Sequence, residues 1–134
     1  MEINGKPVKF NFSALFRANS VLSSKDGEND GAAQLWLQFV TDDDMAVFNA
    51  IKVLAPGLKD GEITAYIDEH AEDYDQLHDE LEAELQRSAF FRRAASRWTS
   101  LVETYAPRGK AKTEQEKIQQ QALNDTLEKM KKSL

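Results

Sequence analysis

Glu72-Asp73-Tyr74-Asp75-Gln76-Leu77-His78-Asp79-Glu80-Leu81-Glu82-Ala83-Glu84-Leu85 runs without proline or glycine into Gln86-Arg87-Ser88-Ala89-Phe90-Phe91-Arg92-Arg93-Ala94-Ala95-Ser96-Arg97-Trp98 and on to Tyr105. Within it Tyr74, Leu77, Leu81, Leu85, Ser88, Ala95, Trp98, Val102 and Tyr105 recur mostly at steps of three and four. That spacing predicts one long amphipathic helix with a mostly apolar stripe along one side. Acids fill its opening turns and arginines follow, the charge order favoured by a helix dipole. The remaining segments must supply whatever that stripe packs against.

Upstream, Glu2-Ile3-Asn4-Gly5-Lys6-Pro7-Val8-Lys9-Phe10 predicts a small hairpin, because Asn-Gly is a preferred pair for a type I′ turn. Pro7 lacks the N–H of a central ladder, so this ribbon is an edge feature that needs helices beneath it. Asn11 or Ser13 can cap a helix through Leu22, with Leu15, Phe16, Ala18 and Leu22 along one side. Ser23 to Gly31 is a polar loop. Ala32–Val40, the most apolar run, is expected as a buried helix. Thr41-Asp42-Asp43-Asp44 can cap a core helix over Met45–Leu54, which Ala55-Pro56-Gly57 ends. Asp60 or Thr64 opens a short helix that turns Ile63, Tyr66 and Ile67 inward. Ala106-Pro107-Arg108-Gly109-Lys110 is a breaker, after which Thr113 to Lys132 is helix-prone with a narrow stripe of Ile118, Ala122, Leu123, Leu127 and Met130. The expected fold class is mainly α: a small helical domain over residues 1–106 with an N-terminal β-hairpin and one long amphipathic helix, followed by a basic helical tail over residues 107–134.

Size and composition agree with this. The chain has 134 residues, 41% hydrophobic and 30% charged, which is one ordinary globular domain's worth. Without cysteine it has neither disulfides nor thiolate chemistry. No stretch is apolar for long enough to span a bilayer, and no secretory leader is recognisable, so a cytoplasmic protein is expected. A net charge of -6 argues against sequence-independent nucleic-acid binding. The charge is segregated: Asp60 to Glu84 holds eleven acids and no Lys or Arg, whereas Arg87 to Leu134 holds eleven bases against five acids. This predicts a solvated acidic face and a solvated basic tail, and it also permits self-association.

Signals of catalysis are lacking. The glycines form no phosphate-binding loop, and the serines lack a nucleophile-elbow context. His70 and His78 lie among acids, but eight residues apart rather than at the one-turn spacing of helical metal pairs, so no metal site or cofactor is expected. Phe90-Phe91-Arg92-Arg93 is the sharpest local feature. Adjacent side chains on a helix point about 100° apart. Either both phenylalanines plug the core, or one is an exposed anchor rimmed by Arg87, Arg92, Arg93 and Arg97, the kind of cluster that dominates binding energy. Trp36 and Trp98 read as core.

The order of features resembles the tail assembly chaperone family of long-tailed bacteriophages and prophages of Gram-positive hosts. It is carried by the Glu-Ile-Asn-Gly-Lys opening, Phe10-Asn11-Phe12 leading into helix, and the variable polar loop. The helical middle with Pro56 and Gly57, Ile63-Thr64-Ala65-Tyr66-Ile67-Asp68-Glu69 and the close at Ser88-Ala89-Phe90-Phe91-Arg92-Arg93 complete it. It covers roughly residues 2 to 93. The resemblance implies a non-enzymatic protein of the host cytoplasm, absent from the mature virion, that keeps the tape measure protein soluble. It further implies a link to the tail tube protein through a longer frameshifted product. The surface carrying Leu77, Leu81, Leu85, Phe90, Phe91, Arg92, Arg93 and Trp98, or the part of it left outside the core, is then expected to meet the tape measure protein or a second copy. A helical regulatory adaptor with one folded protein partner is the alternative reading.

Overall fold

The computed structural model describes residues 1–25, 28–105 and 114–133. It is mainly α, with a two-stranded hairpin at the N-terminus: β1 (Glu2–Ile3), β2 (Lys6–Pro7), α1 (Phe12–Leu22), α2 (Gly31–Val40), α3 (Ala46–Leu54), α4 (Asp60–Glu69), α5 (Tyr74–Arg87), α6 (Ala89–Tyr105) and α7 (Glu114–Lys132). The strands pair antiparallel with Glu2 opposite Pro7 and Ile3 opposite Lys6. Asn4 and Gly5 both take positive φ, 52° and 76°, as a type I′ turn requires. Ile3, completely covered, seats this ribbon on the helices.

The long helix expected from 72 to 105 is two helices. Ser88 adopts an extended conformation, φ -82° and ψ 122°, and ends α5. Its Oγ then accepts a hydrogen bond from the Phe91 N–H at 3.2 Å, so one serine closes α5 and caps α6. The break also rephases the buried face. Seven residues beyond Leu85, where an unbroken helix would keep its stripe, stands exposed Arg92; the buried residue is Phe91. α5 buries Leu77, Leu81 and Leu85, while α6 buries Phe91, Ala95 and Thr99.

An aromatic knot ties the layers together. Phe91 meets Phe10 and Trp36 edge-on, with ring centroids 5.0 and 5.4 Å apart, and Trp36 stacks on Phe39 at 6.4 Å. α3 contributes Ala46, Val47, Ala50, Ile51, Val53 and Leu54, covering much of its circumference as a core helix does. On α1, Ala18 is buried together with Ala14, and Leu15 and Leu22 are partly buried against the core, but Phe16, expected on the same side, faces outward. Small residues on the inner face let α2 approach α1 until Gly31 lies against the Ala18 backbone. Arg17 extends from α1 to donate to the Val53 carbonyl at the end of α3, 2.9 Å away. Glu84, a buried carboxylate, accepts from Arg87 and lies 3.5 Å from the Met1 amino group, so its charge is compensated.

α7 is anchored by its last turns. Leu127 and Met130 are buried, and the Ser133 hydroxyl and carbonyl accept hydrogen bonds from Trp36 Nε1 and Gln86 Nε2 at 3.1 and 2.7 Å. Lys131 pairs with Glu103. The first turns leave Ile118 exposed. The breaker at residues 106–110, and with it the boundary expected at 106/107, lies outside the described residues.

Candidate functional site

An uncovered apolar groove follows from how α1, α2 and α6 pack. α2 passes beneath the other two, so its Ala33 forms a floor, and α1 and α6 stand as walls. Phe12, Leu15 and Asn19 line one wall, and Phe90, Ala94, Trp98 and Leu101 the other, around a groove of about 490 Å³. The volume lies in the range of pockets that accept several side chains. Phe12 and Phe90 meet edge-on at 5.6 Å where the walls approach. Phe12 is 61% exposed, Phe90 48% and Leu101 49%, and Phe16, one turn beyond Phe12, is 68% exposed. Exposed apolar side chains gathered in this way mark an interaction surface.

Charge lines the groove unevenly. Arg93 and Arg97, one helical turn apart, lie along the α6 wall; Glu28 and Asp30 stand at the mouth near the start of α2. Asp30 is tied into its loop by Ser24, whose backbone N–H and Oγ donate to its carboxylate at 2.9 and 2.7 Å, and by Gln34 Nε2 at 3.1 Å. Partial burial pushes its carboxyl upward, but these hydrogen bonds prevail and hold it below the ordinary aspartate range. A depressed folded pKa stabilises the loop at neutral pH, and that contribution is lost as pH falls through the folded value. Asp30→Ala should therefore cost about 0.5–1 kcal/mol at pH 7. Paired thermal melts should show the difference from wild type shrinking as pH falls below the ordinary aspartate range and through the folded value, where the wild-type chain loses the charge that the variant never had.

The residues singled out in the sequence divide between core and groove. Leu77, Leu81, Leu85 and Phe91 are core, with at most 3% exposure, so they are not on the surface where a partner would meet them. The reason is the rephasing at Ser88, which drives Phe91 inward and turns its neighbour Phe90 out. Of the two readings, both in the core or one exposed, the pair follows the second: Phe91 is buried and Phe90 is half-exposed. Phe90, Arg93 and the partly buried Trp98 line the groove. Arg92 is exposed but donates to the Gln86 carbonyl at 3.0 Å, and Arg87 turns to Glu84, so the expected four-arginine rim is reduced to Arg93 and Arg97. Phe12, Phe16, Leu15 and Leu101 were not identified from sequence as binding residues. Their signal was available in Phe12 and Phe16 at a one-turn spacing, set against the alanines of the opposite face.

The histidines do not meet in one site. His70 caps α4, its Nδ1 2.8 Å from the Tyr66 carbonyl and its ring 4.3 Å from that of Tyr66. His78 packs on Phe39, and its donor atoms lie within 4.8 Å of those of Asp79 and Glu82. Such a cluster on an acidic helix is common without any ligand role. Against protein-family models, curated proteins and solved structures alike, the chain finds no match.

Proposed function

We propose that this chain is a tail assembly chaperone of a long-tailed bacteriophage or prophage, which covers apolar helical stretches of the tape measure protein until the tail is built. One observation carries the reading: the open groove between α1 and α6, with Phe12, Phe90 and Leu101 presented to solvent beside the partly buried Trp98 on a well-packed helical body. Amphipathic helices are bound in this way, by laying an apolar face into a groove between two helices. The chain works by lending surface and carries out no chemistry on its client, and its net negative charge keeps the pair dispersed in the host cytoplasm. None of the helices among the described residues is long and apolar enough to cross a membrane. A longer product of the same gene would bring in the tail tube protein.

Co-expression with the tape measure protein tests this. Re-burying a half-exposed phenylalanine contributes about 1 kcal/mol, so losing two weakens binding by about thirtyfold. Phe12→Ser with Phe90→Ser should move most of the tape measure protein into the insoluble fraction while the variant keeps its own melting temperature within a few degrees. An undiminished soluble fraction with the doubly substituted chain would refute the groove's role.

A further inference from the structure

The five arginines among the described residues divide sharply. Arg17 donates to Val53, Arg87 to Glu84 and Arg92 to Gln86, so three are engaged within the chain. Arg93 and Arg97 make neither an ion pair nor a hydrogen bond among the described residues, and these are the two that line the groove. Asp30, which lines the same groove, is already engaged by Ser24 and Gln34, so none of the described residues lining the groove satisfies Arg93 or Arg97. Two guanidinium groups one turn apart beside an aromatic strip suit carboxylates repeated at the same spacing, which they can grip with paired N–H donors. Glu28 and Asp30, which line the groove from the segment joining α1 to α2, repel acids.

We infer that the occupant of the groove is an amphipathic helix bearing carboxylates one turn apart along the flank that lies on α6, and no acids along the flank facing Glu28 and Asp30. This rests on the chaperone reading and narrows it. Tape measure segments are selected by the charge beside their apolar stripe as well as by the stripe.

Two peptides of about four turns test it, identical in their leucine stripe, one with Glu at one-turn spacing along one flank and the other with Lys at the same positions. Fluorescence anisotropy at low salt should find the Glu peptide bound to the full chain about tenfold more tightly, with the margin falling as salt is added. Arg93→Glu with Arg97→Glu should reverse the order. Both side chains are exposed, so circular dichroism should show that variant folded. Equal affinities for the two peptides, or a Glu preference that survives the double reversal, would overturn the inference. Failure of both peptides to bind would overturn it too, and the co-expression result then decides separately whether the groove takes a client at all.

Discussion

Gly31→Ala should remove about 3 kcal/mol of folding stability, near the upper end of what overpacking costs. A Cβ at that position would lie 1.8 Å from the Ala18 carbonyl oxygen, 2.4 Å from its carbon and 2.8 Å from the Asn19 Cα. All three are backbone atoms, so no side chain can swing aside; α1 and α2 would have to separate. Parting them opens the seam that Ala14, Ala18 and Ala32 close, each now fully buried. It also displaces the floor and one wall of the groove. Gly61→Ala is the matched control, since a Cβ there meets nothing within 4 Å and the residue stands in the first turn of α4. That change should leave stability unaltered or raise it by up to about 1 kcal/mol. Urea titrations of the two variants against wild type make the comparison, and similar midpoints for all three would contradict the packing described.

The second large effect separates two adjacent phenylalanines. Phe91→Ala should cost about 3–5 kcal/mol, because the side chain is completely buried between Phe10 and Trp36 and its loss leaves a cavity that the rigid layers cannot close. Phe90→Ala, one residue earlier, should cost about 1 kcal/mol or less, since half of the ring already faces water. Their functional consequences should be reversed. On the proposed function, Phe90→Ala should weaken client binding in a folded protein, whereas Phe91→Ala should lower soluble client only by depleting the folded chain itself. A thermal melt run beside a binding assay tells these apart. Equal melting temperatures for the two variants would contradict the burial of Phe91 and the exposure of Phe90.

Much of this architecture was legible in the chain. Asn4-Gly5 specified its turn through backbone freedom alone, and Asn11 caps α1 by accepting from the Ala14 N–H at 3.0 Å. Such local rules involve neighbours in sequence and need no knowledge of the fold. The interruption at Ser88 was harder to see, because serine is tolerated inside helices and the apolar spacing continues across it. The hint was that a seven-residue step from Leu85 lands on Arg92. Gly31 is similar: in sequence it ends a polar loop, and only the crossing of α1 and α2 makes its missing side chain necessary. The groove was half visible. Phe90, Arg93 and Trp98, singled out in the sequence, line it, but its α1 wall depended on which face of α1 turned inward. The two alanines decided that against the bulkier Phe16, because close helix approach was worth more than burying one more ring.

The account's central claim is that a folded body offers the α1/α6 groove to an amphipathic helix from another polypeptide. Amide chemical shifts of the isotope-labelled full chain, followed while a soluble helical fragment of the tape measure protein is titrated in, test this most directly. The account predicts saturable shifts concentrated at Phe12–Asn19 and Phe90–Leu101, with the α3 and α4 amides left in place. Shifts confined to the acidic surface of α4 and α5, or no shifts at fragment concentrations well above those of the chain, would contradict it.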